Sequence, residues 1–131
     1  MLGRYSEIGA VPLDRILRPG RPLAEALSEV LVEAARSYTA DPDMSGCMVL
    51  EGLRSNDEAA RAAALARRQA AEAVIHAYIA DHRREEAGRL TDYISTCMAG
   101  LSAAAVAGHD RGRLLASAKL QGLAIERALG D

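Results

Sequence analysis

"RLTDYISTCMAGLSAAAVAGHDRGRLLASAKLQGLAIERAL", residues 89–129, decides the class of fold. It contains no proline, and its apolar residues recur every three or four positions, the repeat of a helix face. The stretch breaks once. Ala107-Gly108 offers a left-handed stop to a helix over 89–107, and Asp110 offers an N-cap to a second helix over 111–129. On the second, Leu115, Ala118, Gly122, Ile125 and Leu129 form one stripe, with Leu114, Leu120 and Leu123 off it. On the first, Tyr93, Cys97, Gly100 and Ala104 form a stripe beside another of Ile94, Met98, Leu101 and Ala105. Helices apolar over so wide an arc need cover on two sides.

Upstream of this stretch the same repeat returns three times. The segment "DHRREEAG", 81–88, reads as a loop closing a long helix. That helix opens at "SNDE", 55–58, where Ser55 and Glu58 have the spacing of a capping box. Its apolar residues are Leu65, Ala71, Val74, Ile75, Tyr78 and Ile79. "DPDMSGCMVLEG", 41–52, is a polar turn that runs into a short helix from about 44 to 53. From Leu23 to about Tyr38 a further helix carries Leu23, Leu27, Val30, Leu31 and Ala34 on one face, with Glu25, Glu29 and Glu33 off it. "RPGRP", 18–22, breaks the chain before it, and Pro22 suits the first helical turn. Leu2, Tyr5 and Ile8 read as the end of another helix. No strand pattern occurs. The expectation is an all-α fold, a single helical domain over 1–131 with five to six helices.

Composition narrows the function. The 131 residues are 50% hydrophobic, yet they include no Phe, no Trp and four Tyr, so the core must be aliphatic. A net charge of −2 leaves no electrostatic footprint for nucleic acid. Fifteen of the sixteen basic residues are Arg, and the single lysine is Lys119. Two cysteines, Cys47 and Cys97, are too few for a disulfide framework and lack zinc-ligand spacing. Charges at Arg4, Glu7, Asp14, Arg15 and Arg18 exclude a signal peptide within the first twenty residues, and no apolar run is long enough to span a membrane. A cytoplasmic protein without membrane contact is expected.

A search for chemistry returns little. His76, His82 and His109 are scattered. Glu72 with His76, and His82 with Glu86, are single helical-turn pairs rather than the doubled Glu-x-x-His set of a dinuclear centre. Cys47 has no basic partner nearby, and no serine sits in a nucleophile-elbow context. No metal, no cofactor and no catalytic residue is expected; the chain does not read as an enzyme.

The order of elements is similar to that of the C-terminal half of TetR/AcrR-family transcriptional regulators. The resemblance rests on "GCMVLEG" after a Pro-containing loop, on the capped long helix, and on the paired helices of 89–129 with Gly100-Leu101, Ala107-Gly108 and Leu114-Leu115. It covers roughly residues 20–130. One departure is "EEAGR" where family members often carry Asp-Pro. The resemblance implies a ligand-sensing and dimerisation domain of a TetR-like repressor, with DNA contacted only through an N-terminal helix-turn-helix domain not present in these residues. It also implies a homodimer in which the last two helices of each copy form a four-helix bundle, with Met98, Leu101, Leu115, Ala118, Gly122 and Ile125 at the interface. A small-molecule effector would meet Met48, His76, Tyr93 and Cys97, the polar-tipped or deformable residues of an otherwise aliphatic space. The alternative is a stand-alone helical interaction protein, such as a truncated paralogue that pairs with a full-length regulator.

Overall fold

The structure, a computed structural model, describes residues 11–41, 46, 52–53 and 56–130. All regular structure among the described residues is helical. It comprises α1 (Leu13–Ile16), α2 (Leu23–Ser37), α3 (Glu58–Arg83), α4 (Ala87–Val106) and α5 (Arg111–Leu129), with a 3-10 turn at Arg84–Glu86. The all-α expectation therefore holds. The readings of residues 1–10 and of the short helix from 44 to 53 fall largely outside the described residues.

Local chemistry explains most boundaries. At the start of α5 the Asp110 carboxylate accepts a hydrogen bond from the Arg113 N–H at 2.9 Å. At the end of α4, Gly108 takes φ +99°. Its N–H donates to the Ala105 carbonyl and that of His109 to the Ala104 carbonyl, both at 3.0 Å, the paired bonds of a left-handed helix stop. Two readings need correction. The cap of α3 is Asp57, whose carboxylate accepts from the N–H groups of Ala59 at 2.9 Å and Ala60 at 3.2 Å. An aspartate next to the first helical residue competes directly with the expected box, and Ser55 lies outside the described residues. Nor do residues 81–88 form an open loop: α3 runs to Arg83 and passes through the 3-10 turn straight into α4. Glu86 and Arg89 pair across that turn, which ties its polar residues into helical geometry.

Helix α2 is the centre of the core. Leu27, Val30, Leu31, Ala34 and Ala35 have no exposed surface. Its most extensive contact is with α5, which runs antiparallel to it; Arg111, at the start of α5, donates to the Arg36 carbonyl in the last turn of α2 and to Thr39 Oγ1 just past it. Small residues allow the approach. A Cβ on Gly122 would stand 2.9 Å from Ser28 Oγ, so the α2–α5 crossing depends on its absence. Helix α4 lies against both and continues the core through Leu90, Ile94, Leu101 and Ala105. Helix α3 buries only Ala64, Ile75 and Ile79, while Leu65 and Val74 stay about half exposed. No described helix is long and apolar enough to cross a membrane.

Candidate effector-contacting face of helix α4

Of the four residues expected at an effector, α4 brings two together. Cys97 is buried and Tyr93, one turn before it, is half-buried. The two side chains are close enough for each to influence the other's ionisation. Burial pushes the Tyr93 phenol up from its ordinary range, and the neighbouring Cys97 thiol pushes it further. Burial also raises the Cys97 thiol, against a smaller pull downward from Tyr93. Both side chains are therefore neutral at neutral pH. A thiol held protonated is a poor nucleophile, so this pair suits recognition rather than covalent chemistry. His76 is solvent-exposed on α3 and does not join them. The exposure follows from helical phase: Ile75 and Ile79 take the buried face, and His76 is rotated away from it. Met48 lies outside the described residues.

Sequence reading passed over a second face of the same helix. Thr91, Ser95 and Ser102, at steps of four and seven, are all buried. The hydroxyl of Thr91 has no hydrogen-bond partner among the described residues, nor do Ser28 Oγ on α2 and Gln121 Oε1 on α5. Such groups are costly to leave unmatched in a core, and they are places where a ligand or water would bond. The signal was legible in principle. Small polar residues at 91, 95 and 102 recur at helical spacing along the helix. Next to Ser102 stands Gly46 with φ +85°, where a Cβ would meet Val106 Cγ2 at 2.7 Å and the Ser102 carbonyl at 3.0 Å.

The stripe assigned to a partner also turns out differently. Ala118 and Ile125 have no exposed surface, Leu101 is 3% exposed and Gly122 is buried, all inside the chain's own core. Leu114 rather than Leu115 completes that inner stripe; Leu115 is half-buried and Met98 partly so. The reason is the glycine step at 122, which turns this face toward Ser28 of α2. What α5 presents outward is Leu120, 68% exposed, and Leu123, 59% exposed, with Lys119 beside them. On α4, Thr96 and Gly100 are exposed, and a Cβ on Gly100 would meet nothing within 4 Å.

Charged groups gather at the other end of α3. Glu86 accepts from Arg89 and lies near Arg83. The Arg89 hydrogen bond is the main cause holding the Glu86 carboxyl below the usual range, with burial opposing it. Arg83 and Arg89 also donate to the last carbonyls of α5, those of Leu129 at 2.7 Å and Ala128 at 3.3 Å. Among the described residues no group of three or more His, Cys, Asp or Glu side chains is placed to hold a metal ion.

Together these features define an all-helical domain with a close-packed aliphatic centre, a buried polar seam on α4, and apolar residues left exposed on α5. Among curated proteins, the HTH-type transcriptional repressor BdcR of Escherichia coli (strain K12) is 46% identical over 131 residues, 100% of this chain and 66% of the relative. The chain thus spans just under two thirds of the length of the curated relative it matches. No protein-family model matches the chain, and no solved structure does.

Proposed function

We propose that this chain is the effector-sensing and self-pairing part of a TetR-like transcriptional repressor. The observation that carries the reading is the 46% identity to the repressor BdcR along the whole chain. The structure supports it in two respects. Helix α4 joins a neutral Tyr93–Cys97 pair and the buried, unmatched Thr91 hydroxyl to an aliphatic core, the surroundings that a small, uncharged or weakly polar effector needs. Exposed Leu120 and Leu123 leave an apolar strip on α5 that a second copy would cover about a two-fold axis. In this reading the domain acts in the cytoplasm without catalysis. DNA contact comes from a helix-turn-helix segment outside these residues, and the effector changes how the helices hold that segment.

The test uses gel-shift assays on DNA upstream of the chain's own gene at physiological salt. A polypeptide that includes in-frame sequence upstream of Met1 should bind specifically, and the 131-residue chain should not. Specific binding by the 131-residue chain itself, or a monomeric mass by light scattering at micromolar concentration, would overturn the proposal.

A further inference from the structure

We propose that residues 11–22 form a strap that opens from the helical bundle as a unit of its own, with the Arg21 guanidinium as its fastener. Helix α1 has four residues, too few to hold together without tertiary contacts. Two kinds of contact hold it. Ile16 enters the core with 1% of its surface exposed, and Val11, Leu13 and Leu17 pack against that core from outside. Arg21 supplies the polar hold. Its Nη1 donates to the Ile16 carbonyl at the end of α1 at 2.8 Å, its Nε to Glu25 at 2.9 Å, and its Nη2 to Glu29. One side chain thus joins the end of α1 to the first two turns of α2.

The contacts do not weigh equally. From α3, the Tyr78 hydroxyl donates to the Arg18 carbonyl at 2.7 Å and the His82 ring lies 3.1 Å from the Arg21 carbonyl. Both of these contacts are solvent-exposed, and water can stand in for either. The Arg21 side chain is only 11% exposed, and its bonds to Ile16 and Glu29 are partly buried, where water is a poorer substitute. Three acceptors are met by three different nitrogens of one planar fork, a geometry that the single nitrogen of a lysine does not reproduce.

Two features let the strap move apart from the rest. It gives the core one buried side chain, Ile16, whereas α2 gives eight. Segments with few buried apolar contacts open locally, below the free energy of global unfolding. Three of the chain's four prolines, Pro12, Pro19 and Pro22, also lie within it. Their fixed φ angles stiffen the segment, so it leaves and returns as one piece. The strap is where the chain enters the bundle ahead of α2, and its closure fixes that entry. The inference does not depend on the function proposed above.

Trypsin reads the strap directly. Of its arginines, Arg18 and Arg21 each precede a proline, where trypsin does not cut, which leaves the Arg15–Ile16 bond. Ile16 is buried, so that bond is cut only when the strap is open. The new amino terminus at Ile16, followed by mass spectrometry, gives the rate. In the wild-type 131-residue chain this rate should depend weakly on urea below the unfolding transition, because opening the strap exposes little surface. Arg21→Ala should raise it roughly tenfold or more, the scale of one charged hydrogen bond, while helical circular dichroism is retained. Arg21→Lys should recover only a small part of the lost protection. The urea dependence needs no variant. A slope as steep as that of global unfolding, an unchanged rate in Arg21→Ala, or full protection in Arg21→Lys would each overturn the proposal.

Discussion

At the scale of single residues, Gly122 and Ser28 form a pair whose roles can be separated. A Cβ on Gly122 would meet Ser28 Oγ at 2.9 Å and Ser28 Cβ at 3.2 Å. The hydroxyl is the closer of the two contacts, and the Cβ behind it moves only with the helix. Gly122→Ala should therefore destabilise the chain by about 1–3 kcal/mol, the usual cost of overpacking. Ser28→Ala removes a buried hydroxyl without a partner among the described residues and should be neutral or slightly stabilising. The double variant should recover much of the loss, because the oxygen that met the new methyl group is gone. Urea denaturation of the four proteins gives the coupling directly, and strict additivity would refute the steric account. The sequence showed Gly122 on an apolar stripe and suggested close packing there. It did not show which helix approached, since a three-or-four repeat fixes a face but not its neighbour. The same limit applied to His76: residues on either side of a helical stripe look alike until Ile75 and Ile79 claim the core.

At the scale of elements, the helices were readable because their signals are local. Pro22, Asp110 and Gly108 each act within a few residues, and each marks a boundary in the structure. The start of α3 was misread by two positions because Ser55 and Asp57 both offer a cap and only geometry selects one. The turn at 84–86 was hidden for a different reason. It is secured by Arg83 and Arg89 reaching the end of α5, some forty residues away in sequence. Gly46 is where two elements meet most tightly. Its N–H donates to the Tyr38 carbonyl at 2.8 Å beyond the end of α2, and its open side faces Ser102 and Val106 of α4. Gly46→Ala combines a positive φ with a clash against a backbone carbonyl. It should cost about 2–4 kcal/mol, more than either cause alone. A change below about 1 kcal/mol in denaturant unfolding would show that α4 can move aside there.

At the scale of the whole molecule, the distribution of apolar surface separates what folds the chain from what would pair it. Ala118 and Ile125 belong wholly to the core, so Ala118→Glu should unfold the chain rather than divide a dimer. Leu120 and Leu123 are largely exposed, and charge placed there has no core to disrupt. The double variant Leu120→Glu, Leu123→Glu should keep its helical circular dichroism and its unfolding cooperativity while its mass in light scattering halves from that of the wild type. An unchanged mass would move the pairing surface elsewhere. The candidate effector residues divide in the same way. Tyr93 and Cys97 were legible because two polar-tipped side chains one turn apart must share a face. The Thr91, Ser95 and Ser102 seam was not singled out, since burial of small hydroxyls depends on helices packed from distant parts of the sequence.

The aromatic poverty of the chain has an optical consequence. Without tryptophan or phenylalanine, its near-ultraviolet absorption and emission come from four tyrosines. Three of them occupy different parts of the described structure: Tyr38 in the core, Tyr78 bonded to the Arg18 carbonyl and Tyr93 beside Cys97. Each is a built-in probe with its own surroundings, and a tyrosine-to-phenylalanine exchange silences it with the loss of a single oxygen. Subtracting the spectra of such variants would separate core melting from changes around Tyr78 and around Tyr93 in one unlabelled sample.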